Sequence, residues 1–303
     1  MIPHMPGIWA EEQISAWKTI VDEVHRRGCY IFCHIVGTGR TGDPEEMEKY
    51  GLDVIGPSAI PAPGYAGNPR EVTEDEIHGL IADFATAARN AVEKVGFDGV
   101  EIHACNGYLL DQFTQDVSNQ RNDAWGGSIE KRARFATEVA RAVTEAVGQR
   151  VPVGIRLSPW GEYAGMRMFD PVPGFTYLIS ELKKLKLAYL HLIEPRVSGD
   201  IDIKTVDSNL GFLEAWGTEK PVLVAGGFSP DDAKCAIKER YRHWNVAVSF
   251  GRLFISNPDL VFRVKNGIAP AKYDRATFYE GGEKGYIDYP FSSEFLESKC
   301  RLT

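Results

Sequence analysis

Apolar residues recur at helical spacing through Glu11–Arg27, where Ile14, Trp17, Ile20, Val21 and Val24 share one face and Gly28 ends the run. Tyr30–Val36 is short, apolar and rich in β-formers, which predicts a strand buried on both faces. After a long loop, Thr73-Glu-Asp-Glu76 reads as a capping box opening a helix that runs to about Val95. Asp98–Ala104 is then a strand, 128–147 a helix, Val151–Leu157 a strand and 175–186 a helix. Ala188–Ile193 is the fourth strand, followed by a less regular stretch around Leu210–Trp216. Pro221–Ala225 is the fifth, and Ser229-Pro230 caps the next helix with proline at its first position. Asn245–Phe250 is the sixth, with a helix from about Asn257.

Six strands, each followed by helical sequence, predict an α/β fold with a parallel sheet covered by helices, doubly wound or closed as a barrel. Conspicuous residues cluster just after the strands, which favours the barrel, because all its strand C-termini converge on one catalytic face. A closed barrel needs eight strands, so six is two short. No composition shift or low-complexity stretch marks a linker, and the expectation is a single domain over residues 1–303.

The 303 residues carry 34 Lys+Arg against 42 Asp+Glu, a net charge of −8, with 44% hydrophobic and 25% charged residues. That is an ordinary globular composition, and it excludes disordered, collagen-like and coiled-coil chains. The acidic balance argues against a nucleic-acid groove or a polybasic membrane anchor. No apolar run approaches the roughly 18–20 residues that span a bilayer. The start, Met1 to Gly7, lacks the charged and apolar regions of a signal peptide. The five cysteines (Cys29, Cys33, Cys105, Cys235, Cys300) are scattered without a C-x-x-C pair, and are expected to be reduced thiols in the cytoplasm. Neither metal-ligand spacing nor a nucleophile elbow or Walker loop is present.

The densest chemistry is His103-Ala-Cys-Asn-Gly-Tyr108. A His and an Asn three residues apart at a strand end can aim two N–H donors at one oxygen, polarising a carbonyl and stabilising an enolate. Tyr108 could supply a proton to a neighbouring carbanion. The plainer alternative is that His103 satisfies loop backbone groups while Tyr108 packs. Gly251-Arg252, between a strand and a helix, and Gly226-Gly227, one unit earlier, offer approachable backbone N–H groups and a cation, as a phosphate needs. Two tight turns with an arginine paired to an acid would look the same. Arg156 ends an apolar strand, where a charge needs a partner; it meets a carboxylate or faces an electron-rich ring that gains charge on reduction. Gly37-Thr-Gly39-Arg-Thr-Gly42 has the spacing of a dinucleotide fingerprint. The sequence that follows gives barely two turns of charged helix, so the context that the motif requires fails.

Together these residues resemble the old yellow enzyme family of flavin-dependent ene-reductases, in its fungal and plant branch. The resemblance is carried by 99–113 (GVEIHACNGYLLDQF), 122–132, 153–159, 191–196 (HLIEPR), 224–228, 249–260, 272–279 and 285–290, in co-linear order through nearly the whole chain. It implies a (β/α)8 barrel holding FMN at its C-terminal face, with NADPH as reductant and an enone or enal as substrate. By resemblance, His103 and Asn106 hold the substrate carbonyl oxygen, and Tyr108 protonates the α-carbon while the flavin delivers hydride to the β-carbon. Arg156 sits beside the flavin ring, Gly226, Gly227, Gly251 and Arg252 cradle the phosphate, and Tyr279 lies over the substrate.

The sequence also departs from the family's pattern. The segment Pro6-Gly-Ile-Trp9 lies well inside the family's chains, after two strand–helix units, which predicts an N-terminally truncated barrel lacking its first two strands. His34 stands where the family has a glutamine bonding the flavin ring, and Val36 where it has a tryptophan beside the substrate. An incomplete barrel would expose two parallel edges, which predicts a homo-oligomer covering them. Two competing readings accompany the ene-reductase. One is a redox-neutral isomerase or cyclase using the same His103/Asn106/Tyr108 carbonyl site; the other is a catalytically inactive remnant.

Overall fold

The computed structural model describes residues 5–198, 201–279 and 281–300, with residues 299 and 300 as backbone only. The readings made of Met1–His4 and of the Cys300 thiol lie outside the described side chains. The chain divides into two compact units, Met1–Val224 with His243–Val246, and Ala225–Arg242 with Ala247–Thr303.

Six parallel strands form one sheet in chain order: β1 (Phe32–Ile35), β2 (Gly99–Ala104), β3 (Val153–Leu157), β4 (Tyr189–Ile193), β5 (Val222–Ala225) and β6 (Val246–Ser249). β1 is an edge strand whose residues alternate between exposed and half-buried before Ile35 is buried. The expectation of a strand buried on both faces is therefore corrected. An apolar run cannot report which strand lacks a neighbour. β2, by contrast, is buried along its whole length.

Register decides which side chains meet. His34 pairs with Glu101, His103 with Arg156, and Arg156 with His191, so these residues share one face of β1–β4. Below them on that face lie Phe32, Gly99, Gly154 and Tyr189. Glycine is required at 99 and 154. A Cβ at Gly99 would lie 2.7 Å from the Phe32 ring, and one at Gly154 2.1 Å from the Tyr189 ring. The aromatic pair, 6.2 Å between ring centroids, fills that space beneath the polar layer.

The opposite face of the sheet is covered by helices. Glu74–Arg89 packs on Ile129–Val147, and Ile77 and Phe84 of the first and Phe135, Ala136 and Val139 of the second are buried. The Thr73 capping box is formed as expected: Thr73 Oγ1 accepts the Glu76 N–H at 3.3 Å, and the Glu76 carboxylate accepts the Thr73 N–H at 2.8 Å. This helix widens into a π-helical stretch, Asn90–Val95, and ends at the left-handed Gly96. Two expectations shift. Leu210–Trp216 is a regular helix burying Phe212, Leu213 and Trp216, and the helix expected over 175–186 spans Pro171–Lys183. Its true start is set by Asp170, whose carboxylate accepts the Val172 N–H at 3.1 Å, with Pro171 at the first helical position.

Gly39–Thr41 forms a tight helical turn and Pro44–Glu48 a helix of five residues, so no dinucleotide-binding helix follows β1. The loop is tied down instead by Gln112, whose Oε1 accepts the Arg40 N–H at 3.0 Å and whose Nε2 donates to the Thr38 carbonyl at 3.0 Å.

Within the second unit, Ser229 caps Pro230–Cys235, followed by Arg252–Ser256, Leu260–Asn266 and Ser293–Cys300. Its interior is organised by Asp259, which accepts from Arg263 Nε at 2.7 Å and from the Ser292 N–H at 2.9 Å. Phe295 packs between Phe262 and Phe291.

Candidate active site

The strand β2 delivers Glu101 and His103 to the polar face, and the turn after it is built around two left-handed residues. Asn106 has φ +53° and Gly107 φ +71°. The Asn106 N–H donates to Ser158 Oγ at 2.8 Å, the Gly107 N–H to Asp111 Oδ2 at 2.9 Å, and Gln112 Nε2 donates to the Gly107 carbonyl at 2.7 Å. The turn is thus held by buried side chains on three sides. It feeds Tyr108 into the start of Leu109–Thr114, and the Leu109 N–H reaches back to the Gly37 carbonyl at 2.9 Å.

The residues singled out in the sequence fall into two groups. His34, His103 and Tyr108 meet: His34 Nε2 lies 2.6 Å from His103 Nδ1, and the His103 and Tyr108 rings form an edge contact at 5.0 Å between centroids. Asn106 is half-buried in the same turn, and Arg156 lies opposite His103 in register. Val36 follows the end of β1 and is half-buried, with no polar role. The others belong to the second unit. Gly226 and Gly227 both have positive φ (143° and 61°), and a side chain on Gly251 would enter open space. Arg252 donates to Tyr273 Oη at 3.0 Å and lies over its ring. Tyr279, at φ +65°, donates its N–H to Tyr286 Oη, and its side chain is 90% exposed.

Three residues without a sequence-based role complete the first group. The Glu101 carboxylate lies 2.7 Å from His34 Nδ1 and 2.9 Å from His191 Nδ1, bridging β1 and β4. Cys105 Sγ lies 3.4 Å from His103 Nε2. The available signal for Glu101 was a carboxylate at an inward position of an apolar strand, a placement that demands partners. Tyr65 and Tyr163, whose hydroxyls are 2.7 Å apart, add a further phenolic pair; burial and the bond to Tyr163 raise the Tyr65 pKa, and Tyr108 adds to the rise.

Electrostatics separate these groups. Burial pushes the Glu101 carboxyl up, but hydrogen bonds from His191 and His34 outweigh it and hold it well below the usual carboxylate range. Burial, with the charges of His34 and Arg156, lowers His103 well below an ordinary imidazole. Burial likewise lowers His191, against the pull of Glu101, and raises the Cys105 thiol. Glu101 is therefore the anion of the layer, and His103 is neutral.

An FMN cofactor would need a cation for its electron-rich ring edge and an approachable backbone for its phosphate. Arg156 Nε is buried without a hydrogen-bond partner among the described residues, as expected of a guanidinium awaiting an acceptor. Gly251 leaves open space at the start of a helix. Each, within its own unit, has the chemistry that its part of the group needs. No cluster of three or more metal-ligating side chains occurs among the described residues, and no described helix is long and apolar enough to cross a membrane.

The parallel sheet, with the candidate residues gathered at its strand ends, is that of an α/β barrel. Residues 1–270 match the NADH:flavin oxidoreductase / NADH oxidase family, and the chain belongs to it. It is 51% identical over 297 residues to chanoclavine-I aldehyde reductase fgaOx3 of Penicillium roqueforti (strain FM164), covering 97% of this chain and 80% of that protein. It is also 46% identical over 301 residues to a protein named probable inactive reductase easA from Epichloe festucae var. lolii, covering 97% and 79%. Among solved structures, Old Yellow Enzyme from Pichia sp. AKU4542 superimposes with a TM-score of 0.84 at 34% identity, over 94% of this chain and 75% of that one. The fold is thus that of the old yellow enzyme TIM barrels, and among the described residues its main parallel sheet has six strands.

Proposed function

We propose that this chain is an FMN-dependent ene-reductase that reduces the C=C bond of an α,β-unsaturated aldehyde or ketone, with NADPH as reductant. The observation that carries the reading is the end of β2 and the turn after it, which bring His103, Asn106 and Tyr108 together opposite a half-buried Arg156 whose buried Nε has no hydrogen-bond partner among the described residues. His103 and Asn106 bind the carbonyl oxygen and stabilise the negative charge that collects there as the double bond is reduced. Tyr108 gives its phenolic proton to the α-carbon. FMN, when bound, supplies hydride to the β-carbon. Arg156 and His34 are assigned to its ring, Gly226, Gly227, Gly251 and Arg252 to its phosphate, and Val36 and Tyr279 to the substrate. An aldehyde substrate accords with the reductase named above. The single-domain organisation over 1–303 and a homo-oligomer are part of the same proposal.

The reading is tested by the visible absorption spectrum of the purified protein with and without added FMN. Near-stoichiometric flavin that NADPH bleaches and an enal reoxidises is the expected result. Well-folded protein that takes up no FMN would discard the reductase. A redox-neutral use of the same carbonyl site is the second reading, and the contact between His34 and His103 favours it, since it places a titratable ring where the family bonds its flavin.

A further inference from the structure

The polar face of β1–β4 carries an unbroken line of contacts, His191–Glu101–His34–His103–Cys105. Each link shares a single proton between two heavy atoms, so fixing one fixes the next. An ionised Glu101 is acceptor-only, and each of its oxygens takes one imidazole Nδ1–H, from His34 and from His191. The His34 proton is thereby held on Nδ1. If His34 is neutral, its Nε2 is a lone pair, and His103 must donate Nδ1–H across the 2.6 Å contact. The His103 Nε2 is then a lone pair as well, met by the Cys105 thiol at 3.4 Å, while the Cys105 backbone favours the His103 that carries a further proton. Without that proton, His103 offers no N–H to a carbonyl oxygen. If His34 is an imidazolium, its Nε2–H donates, His103 Nδ1 accepts, and the His103 proton moves to Nε2, where it can serve an oxygen.

We propose that Glu101 is a positioning residue: it balances the imidazolium form of His34 and so determines whether His103 presents an N–H or a lone pair to a bound carbonyl. This rests on the ene-reductase reading only in taking His103 as the residue that meets the carbonyl oxygen. The groups facing His34 are Glu101 and His103 from β2. Arg156 from β3 and His191 from β4 act on the same cluster, and Tyr189 from β4 hydrogen-bonds Glu101. The formal charges of Arg156 and Glu101 cancel, so a proton on His34 makes the cluster cationic, which suits an oxygen that gains negative charge. Binding of a carbonyl ligand and protonation of His34 are then coupled, each strengthening the other.

Histidine-selective 15N NMR of the full chain tests this without turnover. On acidification, the proton taken up by His34 and the move of the His103 proton from Nδ1 to Nε2 should share one midpoint. In Glu101→Gln that midpoint should fall by a pH unit or more, and in His34→Gln, where the amide donates without titrating, the His103 transition should vanish. A His103 that keeps one tautomer throughout, or a Glu101→Gln transition unchanged from wild type, overturns the proposal. Should Glu101→Gln fail to fold, His34→Gln decides alone. Calorimetric titration with 2-cyclohexenone, in two buffers of different ionisation enthalpy and without NADPH, gives the second readout. About one proton should be taken up per ligand above the His34 midpoint, and none in His34→Gln. Binding without proton uptake overturns the relay. A coupled NMR transition with no ketone binding supports the relay and overturns the carbonyl-pocket reading instead.

Discussion

The carboxylate of Asp111 accepts the backbone N–H of Gly107 at 2.9 Å, so a buried acid holds the turn that presents Asn106 and Tyr108. The same carboxylate accepts from Gln115 Nε2 at 2.8 Å.

Burial raises the Asp111 pKa from 3.8 to about 6. The folded chain therefore keeps this proton where the unfolded chain has lost it. Its stabilising effect is complete below about pH 4 and is lost as pH rises through 6, by up to about 3 kcal/mol. Urea melts across pH 4–7 should show wild-type stability falling over that window relative to Asp111→Asn. A constant difference between the two proteins would contradict the assignment.

Gly107 cannot carry a side chain. At φ +71°, an added Cβ would lie 2.8 Å from Ala164 Cβ and 2.9 Å from the Tyr163 carbonyl oxygen. Gly107→Ala should lose about 2–4 kcal/mol from the combined backbone strain and overpacking. Thermal melts would register this, and the altered turn should also weaken enone binding.

Tyr108→Phe removes a proton donor and leaves the ring in contact with His103. Turnover of an enal should fall about 100-fold or more, while the affinity for a saturated ketone stays within about threefold, under the 1.4 kcal/mol that a tenfold change needs. Steady-state kinetics beside ligand titration separate these effects. Unchanged turnover would remove Tyr108 from proton transfer.

Thr73→Ala removes the acceptor of the Glu76 N–H at the exposed start of Glu74–Arg89. About 1 kcal/mol should be lost with flavin content unchanged, as measured by denaturation and absorbance. A larger loss would mean that Thr73 does more than cap its helix.

Most of the fold was legible because its signals are local. The capping box at Thr73, the proline after Ser229 and the buried runs around Val100 and Ile155 each report their element without help from the rest of the chain. The exposure of β1 was not legible in its own residues, because that of Phe32 depends on which neighbours pair; only the resemblance, with its two missing strands, pointed to an open edge there. Pro171 and Pro173 hid the first turn of a helix by resembling a loop. At the site, His103, Asn106 and Tyr108 stood out by spacing. Glu101 and His191 lie 90 residues apart, and only the register of four strands brings them together.

The thiol of Cys105 touches His103, a pairing that in other surroundings yields a nucleophilic thiolate. Here the sulfur is sealed from solvent, and burial keeps it protonated. Conjugated carbonyl compounds are soft electrophiles that alkylate thiolates by addition at the β-carbon. If His103 binds the carbonyl as proposed, sealing the sulfur nearest to it would protect the protein from covalent inactivation by the very molecules it is proposed to reduce.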